Sequence, residues 1–564
     1  MIYYGGKDMF NARIISSLQK CFIEDKVTDK PELKTLSAYR NERFSFQVCY
    51  RADGTPSQFK GFADVAVTAG ALGGDYSVRT VEQIVSLMPV FPTMSDADYL
   101  KKTPGLYPDP LIPCRNGSQT PVCEEETRAL WIEFDPGKNG YKPGDHKIKI
   151  TLSLKGEVVF EGSLDLHIVD AALPEQDIMV TQWFHCDCLA SYYNVPVFSA
   201  KHWKIIENYM RTAVRNGINM ILTPIFTPPL DTHIGGERLT VQLVDVKVTG
   251  DGYEFGFGKL KKWIRLCKKC GIKYYEIAHL FTQWGAGHAP KIMADVDGKQ
   301  ERIFGWETNS CGRKYRKFLS EFIPALLSVL KEEGVDKNCR FHISDEPSAA
   351  QLEIYKKAKS GVAKLLKGYP IMDALSSLDF YRDGVVENPV PACDHIEPFY
   401  EAGVPDLWTY YCCGQHTNVP NRFIAQPSYR NRIIGFLFYK YNIKGFLQWG
   451  YNFYNNQGSY YPINPYISAA CDYFGQAGDG FSVWPAQDGT AYESLRLCVF
   501  NDAISDMRAL QLCESICGRE KTVAALEEGL QRPLKFADWP KSEEYILQTR
   551  RRIDALVEAG LKNG

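Results

Sequence analysis

The sequence lacks a strong excess of charge of either sign. Its 564 residues include 65 basic and 67 acidic side chains, and the net charge is -2. A surface that binds phosphate backbones or anionic lipid needs a marked positive charge, so we expect neither nucleic acid nor a membrane surface as a partner. The sequence also lacks an uninterrupted run of about 18 apolar residues, so no membrane insertion is predicted.

The N-terminus lacks the pattern of a secretory signal. The stretch "MIYYGGKDMFNARIISSLQKC" shows no basic segment followed by an apolar one. The 17 cysteines are odd in number and irregularly spaced, which favours reduced thiols over a disulfide framework. Together these features predict a cytoplasmic protein.

Motifs for metals and cofactors are also missing. Cys267 and Cys270 form a lone C-x-x-C pair on a lysine-rich segment, whereas a structural zinc site needs further ligands. "FHCDCL" follows the first strand of the α/β region, where a dinucleotide-binding fold would carry a glycine-rich phosphate turn. Asp345 and Glu346 could ligate Mg²⁺, but no phosphate-binding loop accompanies them. We therefore predict neither a cofactor nor a metal.

Three sequence patterns along the chain predict a multidomain protein that contains both α and β structure. Residues 1–175 contain alternating stretches such as "RNERFSFQVCYRA" and "FADVAVTA", which predict a β-sandwich. Residues 178–485 alternate short apolar strands with amphipathic helices in eight units, which predicts a (β/α)8 TIM barrel. An open doubly wound sheet is the alternative, and the missing phosphate turn argues against it. Residues 486–564 predict a C-terminal helical region packed on the barrel.

The stretch "HISDEP" ends the fourth barrel strand with two adjacent carboxylates, Asp345 and Glu346. A helix start is one interpretation, since Ser344 or Ser348 would be an N-cap with acidic residues near the positive end of the helix. In a barrel, however, catalytic groups lie at the carboxyl ends of the strands. This position favours a catalytic pair.

Adjacent carboxylates suit a particular form of glycoside cleavage. In ordinary retaining glycosidases two carboxyls face each other across the scissile bond, which consecutive residues cannot easily do. They suit a substrate whose own 2-acetamido oxygen is the nucleophile. Asp345 would then orient the acetamido N–H and stabilise the oxazolinium intermediate. Glu346 would act first as general acid and then as general base, because a neighbouring like charge raises the pKa of a carboxyl.

Aromatic and polar side chains at the other strand ends are candidates for substrate binding. Aromatic residues make up 13% of the chain, and their rings can pack against the apolar faces of sugars. Trp449 is predicted to form the floor of a sugar subsite. Tyr410 or Tyr411 is predicted to hydrogen-bond to the acetamido oxygen. Because side chains alternate along a strand, only one of the two can face the pocket, and we favour Tyr410. The candidates for binding sugar hydroxyls are Asn219, His279, Trp284 and Asn452.

Longer stretches of the chain resemble a known family. "FHISDEP", "LWTYYCC", "NRIIGFLFYKYNIKGFLQWGYNFY" and "GDGFSVWPAQDGTAYESLRLCVFNDAISDMRAL" are similar to glycoside hydrolase family 123, whose members are exo-acting β-N-acetylgalactosaminidases. The resemblance implies a β-sandwich, a barrel and a retaining, substrate-assisted mechanism. It also implies a glycan partner, the terminal β-linked N-acetylgalactosamine (GalNAc) of glycosphingolipid-type glycans. By position it assigns the acetamido-orienting role to Asp345 and the acid–base role to Glu346.

Two alternative functions remain open at this stage. A β-N-acetylglucosaminidase or hexosaminidase would share the mechanism, because the two sugars differ only in the orientation of the O4 hydroxyl. A non-catalytic glycan-binding protein would use the sandwich and leave the barrel inert. The intact acid pair argues against that alternative, because a binding module has no need for a perturbed carboxylate.

Overall fold

The computed structural model describes residues 10–91 and 95–563. Residues 1–9, on which part of the prediction of no secretory signal rests, lie outside the described residues. Among the helices of the described ranges, none has the length and hydropathy needed to span a bilayer.

Strands and helices are numbered in chain order. The strands are β1 (Phe10–Ser16), β2 (Thr35–Tyr39), β3 (Phe44–Ala52), β4 (Phe59–Thr68), β5 (Asp75–Ser86), β6 (Gly105–Pro113), β7 (Gln119–Cys123), β8 (Arg128–Asp135), β9 (Gly144–Leu154), β10 (Glu157–Val169), β11 (Met179–Gln182), β12 (Met220–Thr223), β13 (Asp245–Thr249), β14 (Gly252–Gly256), β15 (Tyr274–Ile277), β16 (Ile292–Val296), β17 (Lys299–Phe304), β18 (Cys339–Phe341), β19 (Met372–Ala374), β20 (Asn388–Val390), β21 (Trp408–Tyr410), β22 (Gly445–Gln448), β23 (Val483–Pro485) and β24 (Ala491–Glu493). The helices are α1 (Cys186–Tyr192), α2 (Ala200–Arg215), α3 (Gly258–Cys270), α4 (Arg313–Glu332), α5 (Leu352–Val362), α6 (Asp379–Arg382), α7 (Ile396–Glu401), α8 (Ser428–Arg432), α9 (Ile434–Lys440), α10 (Leu495–Cys517), α11 (Arg519–Leu526) and α12 (Glu543–Asn563).

The chain forms two compact units. The first contains Met1–Gln176, Pro420–Lys440 and Tyr492–Gly564, and the second contains Asp177–Val419 and Tyr441–Ala491. The C-terminal helices α10 to α12 therefore group with the N-terminal strands, and so do α8 and α9, which interrupt the second unit in sequence. The packing of the C-terminal helices on the barrel stays a prediction.

The N-terminal strands of the first unit form two five-stranded sheets among the described residues. Their orders are β1-β3-β8-β5-β6 and β2-β10-β9-β4-β7, and all neighbours pair antiparallel except β2 and β10. Along β4, Ala63, Val65 and Val67 are buried while the residues between them are exposed, because successive side chains point to opposite faces of a strand. The buried faces of both sheets contribute to one hydrophobic core.

Buried ion pairs connect the helices of the first unit. Arg550 of α12 donates to Asp506 of α10 (2.9 Å), to Asp554 (2.9 Å) and to Glu42 in the loop after β2 (2.6 Å). Arg432 of α8 donates two hydrogen bonds to the same Asp506 (2.7 and 3.0 Å). Each buried charge thus has an oppositely charged, hydrogen-bonded partner, as a low-dielectric interior requires.

The parallel strands of the second unit carry the α/β pattern that the sequence predicts. The described residues form a six-stranded parallel sheet in the order β18-β15-β12-β11-β22-β21 and a two-stranded parallel sheet of β19 and β20. Single parallel bridges, Phe341 to Ile371 and Ala392 to Tyr410, connect residues at or beside the edges of the two sheets. The carboxyl ends of parallel strands lie on one side, so the loops that follow them can form a common site.

Short helices and an additional sheet lie between these strands. Helix α3 ends at Gly271, whose φ of 98° lies in the left-handed region that a residue with a side chain disfavours. Insertions after β12 and β15 form a four-stranded sheet, β14-β13-β16-β17, which the sequence analysis does not predict. Its two hairpins turn at Gly250 and Gly298, both with positive φ.

Arg550→Met should destabilise the first unit strongly. The substitution leaves Glu42 and Asp554 as buried carboxylates without their cation, which costs about 3–5 kcal/mol of unfolding free energy. Urea denaturation measures the loss. The control is Arg532→Met, because the Arg532 side chain is 78% exposed in its ion pair with Asp538, where a change below about 1 kcal/mol is expected. Equal effects of the two substitutions would contradict the role given to Arg550.

Candidate active site

Asp345 and Glu346 lie just beyond the carboxyl end of β18. The Asp345 carbonyl accepts a hydrogen bond from the Trp284 N–H (2.9 Å), and the Glu346 N–H donates to the Ala374 carbonyl (3.1 Å). These bonds hold the pair between the segments that follow β15 and β19. Helix α5 begins only at Leu352, after a short 3-10 turn, so the pair does not start a helix.

The two carboxyl groups have different surroundings. Asp345 is buried, and its Oδ2 accepts a hydrogen bond from Gln283 Nε2 (3.2 Å), whereas Glu346 is exposed. Burial raises the pKa of Asp345 well above its usual value, and the nearby charges of Glu346 and Asp231 raise it further. The Asp345 carboxyl therefore holds a proton more readily than a carboxyl in water does.

Tyr410, at the end of β21, contacts the exposed member of the pair. Its hydroxyl donates to Glu346 Oε1 (2.9 Å). Burial, followed by the charge of Glu346, raises the pKa of Tyr410 well above its usual value, so the phenol stays a neutral donor. Tyr411 is fully buried, with its ring edge-on to Phe446 at 4.9 Å. Tyr410 therefore reaches the acid pair.

Trp449 follows β22 and is fixed by its indole nitrogen. The Nε1–H donates to Asp479 Oδ2 (3.0 Å), and Gln448 Nε2 donates to the Asp479 carbonyl (3.0 Å). The two segments approach closely here: a Cβ on Gly450 would lie 2.2 Å from the Gly480 carbonyl oxygen, so no side chain fits. By contrast, Trp284, whose N–H bonds to Asp345, is 48% exposed.

Comparison with known sequences identifies the family. The family profile described as glycoside hydrolase 123, catalytic domain, matches residues 183–513, which is more than half of the chain. The chain belongs to glycoside hydrolase family 123. It is therefore a glycosidase, and the resemblance seen in the sequence is confirmed. No curated protein matches the sequence.

A solved structure from the same family has a similar fold. It is a family 123 glycoside hydrolase from Clostridium perfringens, described for glycolipid glycan hydrolysis, with a TM-score of 0.72 and 16% identity over 98% of both chains. At this identity the likeness concerns the fold alone. A family 39 glycoside hydrolase from Bacteroides cellulosilyticus aligns with a TM-score of 0.31 and 9% identity, covering 78% of this chain and 80% of that one.

The side-chain amides of Asn452 and Asn219 bond to the protein backbone, and their role in binding sugar hydroxyls in this family 123 site stays a prediction. The Asn452 amide accepts a hydrogen bond from the His185 N–H (2.9 Å) and donates one to the His185 carbonyl (3.0 Å). The Asn219 side chain bonds to the backbone of Ile178 and Val180, before and within β11. Asn219 precedes β12, at the amino ends of the parallel strands, which is the side opposite the acid pair.

His279 lies deeper than a hydroxyl-binding residue would. It is buried, and its ring stacks on His342 at 4.2 Å and meets Trp183 edge-on at 5.5 Å. Neither ring nitrogen has a hydrogen-bond partner among the described residues. Burial, followed by the charge of His342, lowers the pKa of His279 well below its usual value, so its ring stays neutral.

His342 is the centre of a buried polar layer beneath the acid pair. Its Nε2 bonds to Glu276 (2.7 Å) and its Nδ1 bonds to Asp373 (3.1 Å). Burial alone would lower the pKa of His342, but hydrogen bonds to the two carboxylates raise it to about 10, so the imidazolium persists at neutral pH. His279, His342 and Asp373 also bring ligand-type atoms within 4.8 Å of one another, but a cation would have to displace these hydrogen bonds.

The sequence analysis missed several residues around the acid pair. Asp231 lies in the long loop between β12 and β13, and no local motif marks it. Asp479 follows no strand end, although it belongs to the "GDG" of a stretch that resembles the family. Both acquire their positions only through long-range contacts, to Gln283 and Trp449 respectively.

Asp345→Asn should stabilise the protein at neutral pH. Folding raises the pKa of this carboxyl above its usual 3.8, so its ionisation lowers stability as the pH rises above that value. We expect the variant to gain about 1 kcal/mol of unfolding free energy at pH 7 and to lose that gain as the pH falls below about 4. Urea denaturation of both proteins at several pH values measures the difference.

The matched control is Asp297→Asn, in the exposed turn between β16 and β17. We expect no comparable gain there, because the side chain is already in water. A gain for Asp345→Asn that did not change with pH would contradict the raised pKa.

Proposed function

We propose that this glycosidase removes terminal β-linked GalNAc from glycans by a retaining, substrate-assisted mechanism. The observation that carries the proposal is the arrangement of Asp345 and Glu346 on consecutive residues, one buried and one exposed with Tyr410 on its carboxylate. Two such neighbours are poorly placed to attack a glycosidic bond from opposite sides. The nucleophile is then the acetamido oxygen of the substrate itself.

In the first step the acetamido oxygen forms a bond to C1 while the bond from C1 to the glycosidic oxygen breaks. Glu346 donates its proton to that oxygen, which leaves as a hydroxyl group. The sugar becomes an oxazolinium ion, and Asp345 accepts its N–H and stabilises its positive charge. In the second step Glu346 takes a proton from water, and the resulting hydroxide bonds to C1 and reopens the ring. The product keeps the β configuration.

The raised pKa of Asp345 gives substrate binding a second effect. In the free enzyme the raised pKa favours a proton on Asp345. A carboxylate that accepts an N–H hydrogen bond is favoured in its charged form, so the acetamido group shifts the proton away from Asp345. Substrate binding is thus expected to release the proton that the raised pKa of Asp345 favours in the free enzyme.

Tyr410, Trp449 and Trp284 complete the proposed subsite. Tyr410 already donates to Glu346, and its hydroxyl can turn to the acetamido oxygen when the sugar binds. The indole of Trp449, held by Asp479, offers a rigid face for the sugar ring. Trp284 is exposed beside Asp345, where the leaving part of the glycan would lie.

The natural substrate is proposed to be a glycosphingolipid-type glycan. The support is the similar Clostridium perfringens enzyme of the same family, which is described for glycolipid glycan hydrolysis. The scaffold is proposed to be a β-sandwich joined to a closed (β/α)8 barrel. The shared core of the two N-terminal sheets supports the sandwich, and the two bridges between the parallel sheets support barrel closure.

A panel of aryl glycosides tests the proposed substrate and nucleophile together. We expect cleavage of aryl β-GalNAc with retention, and at least about 10³-fold lower kcat/KM on aryl β-galactoside, which lacks the acetamido nucleophile. A thiazoline analogue of GalNAc should inhibit. Preference for aryl β-N-acetylglucosaminide would keep the mechanism and change the sugar. Equal turnover of the β-galactoside would contradict substrate assistance.

Variants of the acid pair separate its two roles. Glu346→Gln should lower kcat/KM for phenyl β-GalNAc by about 10³-fold but much less for the dinitrophenyl glycoside, because dinitrophenolate leaves without a proton. Asp345→Asn should lower both by a similar factor, since oxazolinium formation is common to both. Steady-state kinetics on the two substrates measures this. The matched control is Glu301→Gln on β17, where the exposed carboxylate should not affect either rate. Normal turnover by Glu346→Gln would overturn the assignment.

A further inference from the structure

Asp231 is connected directly to the acid pair through one glutamine. The Asp231 N–H donates to Gln283 Oε1, and Gln283 Nε2 donates to Asp345 Oδ2 (3.2 Å). An amide side chain has one accepting and one donating end, so this geometry uses both ends. The position of Asp231 is therefore fixed relative to the carboxylate that is proposed to hold the acetamido group.

The loop that carries Asp231 is held from three sides. The Asp231 carbonyl accepts a hydrogen bond from Ser459 Oγ (2.7 Å), and the preceding Leu230 carbonyl accepts from Arg238 (3.1 Å). Arg238 is itself buried in a two-bond ion pair with Asp187 (2.8 Å each). Asp231 adopts a φ of 45°, a left-handed conformation that a residue with a side chain takes at a cost of about 1–2 kcal/mol. Such strain persists where surrounding contacts impose it, often at functional sites.

The carboxylate of Asp231 is not used by the fold. Its backbone N–H and carbonyl make the loop contacts, while the described hydrogen bonds and ion pairs give its side chain no donor. Arg238, whose charge acts on Asp231, makes its paired hydrogen bonds to Asp187. Burial raises the pKa of Asp231 to about 7, against the opposing effect of Arg238, and the charges of Glu346 and Asp479 contribute to the rise. This half-buried acceptor thus shares the electrostatic environment of the acid pair.

We propose that the Asp231 carboxylate binds hydroxyl groups of the terminal sugar and so determines which sugar the site accepts. This inference rests on the proposed function, in which Asp345 holds the acetamido group and Glu346 the glycosidic oxygen. The remaining hydroxyls, O3, O4 and O6, are hydrogen-bond donors that need acceptors. An ionised carboxylate accepts with two oxygens, and a hydrogen bond to a charged group discriminates more strongly than a neutral one.

Deoxy substrates test this role directly. Wild type and Asp231→Asn are compared on aryl β-GalNAc and on its 3-, 4- and 6-deoxy forms. We expect Asp231→Asn to lower kcat/KM on the parent sugar by about 10- to 100-fold. On the deoxy form that lacks the bound hydroxyl, the same variant should lose about tenfold less. Asp297→Asn is the matched control, because Asp297 is exposed and has a similar φ of 50°, which Asn also tolerates.

Two outcomes overturn the inference, and another changes the variant that is compared. Equal fold losses on the parent and all three deoxy sugars would assign Asp231 only a structural or electrostatic role. Loss of folded protein in Asp231→Asn, judged by thermal unfolding, moves the comparison to Asp231→Glu and then follows the same criterion. The last outcome is that Asp231→Asn lowers kcat/KM by more than about 10⁴-fold on every substrate while the wild-type protein also cleaves the β-galactoside. It would make Asp231 a nucleophile and overturn both proposals.

The inference and the proposed function can fail separately. If wild type prefers an aryl β-N-acetylglucosaminide, the deoxy series of that sugar is used, and a coupled loss still supports Asp231 as the hydroxyl-binding residue. If wild type cleaves aryl β-GalNAc but the losses are equal across the series, only the inference is overturned.

Discussion

Two carboxyl groups on consecutive residues cannot both be charged at low cost, and the candidate site of this family 123 glycosidase is arranged around that constraint. Asp345 is buried and its pKa is raised, whereas Glu346 is exposed and accepts a hydrogen bond from Tyr410. In the proposed mechanism, a substrate that donates an N–H to the buried carboxyl favours its charged form. The proposal therefore couples the ionisation of Asp345 to the chemistry of the substrate.

The charged groups around the pair are of two kinds. Some are paired with each other within the fold, and others remain available to bind a ligand. His342 is hydrogen-bonded to both Glu276 and Asp373 beneath the pair, and Arg238 forms an ion pair with Asp187 beside it. These buried groups have partners, as the cost of isolated buried charge demands. The oxygens that face the proposed subsite, by contrast, have few protein donors. In the first unit, Arg550 and Asp506 show the fully paired arrangement that serves stability alone.

Local sequence patterns predicted the parts of the fold that local physics determines. The period-two alternation of "FADVAVTA" predicted β4, because every second side chain points into the core that the two N-terminal sheets share. "HISDEP" predicted a carboxylate pair after a strand, and the structure places Asp345 and Glu346 beyond β18. The backbone contacts of Asn452 and Asn219 were not predicted, since an amide near a strand can bond equally well to a distant backbone. The hairpins of β13, β14, β16 and β17 were not predicted, because two-residue Gly turns within long insertions resemble ordinary loops.

The sequence by itself determined the family, the alternation of strands and helices, and the adjacency of the two carboxyls, since each is a property of residues close together in the chain. Only the tertiary structure decided that the Tyr410 hydroxyl donates to Glu346, and that Asp231 joins the acid pair through Gln283. It also decided that the C-terminal helices group with the N-terminal strands. Such partners are far apart in sequence, and they are selected by the burial and hydrogen bonding of the whole unit, which no local pattern records.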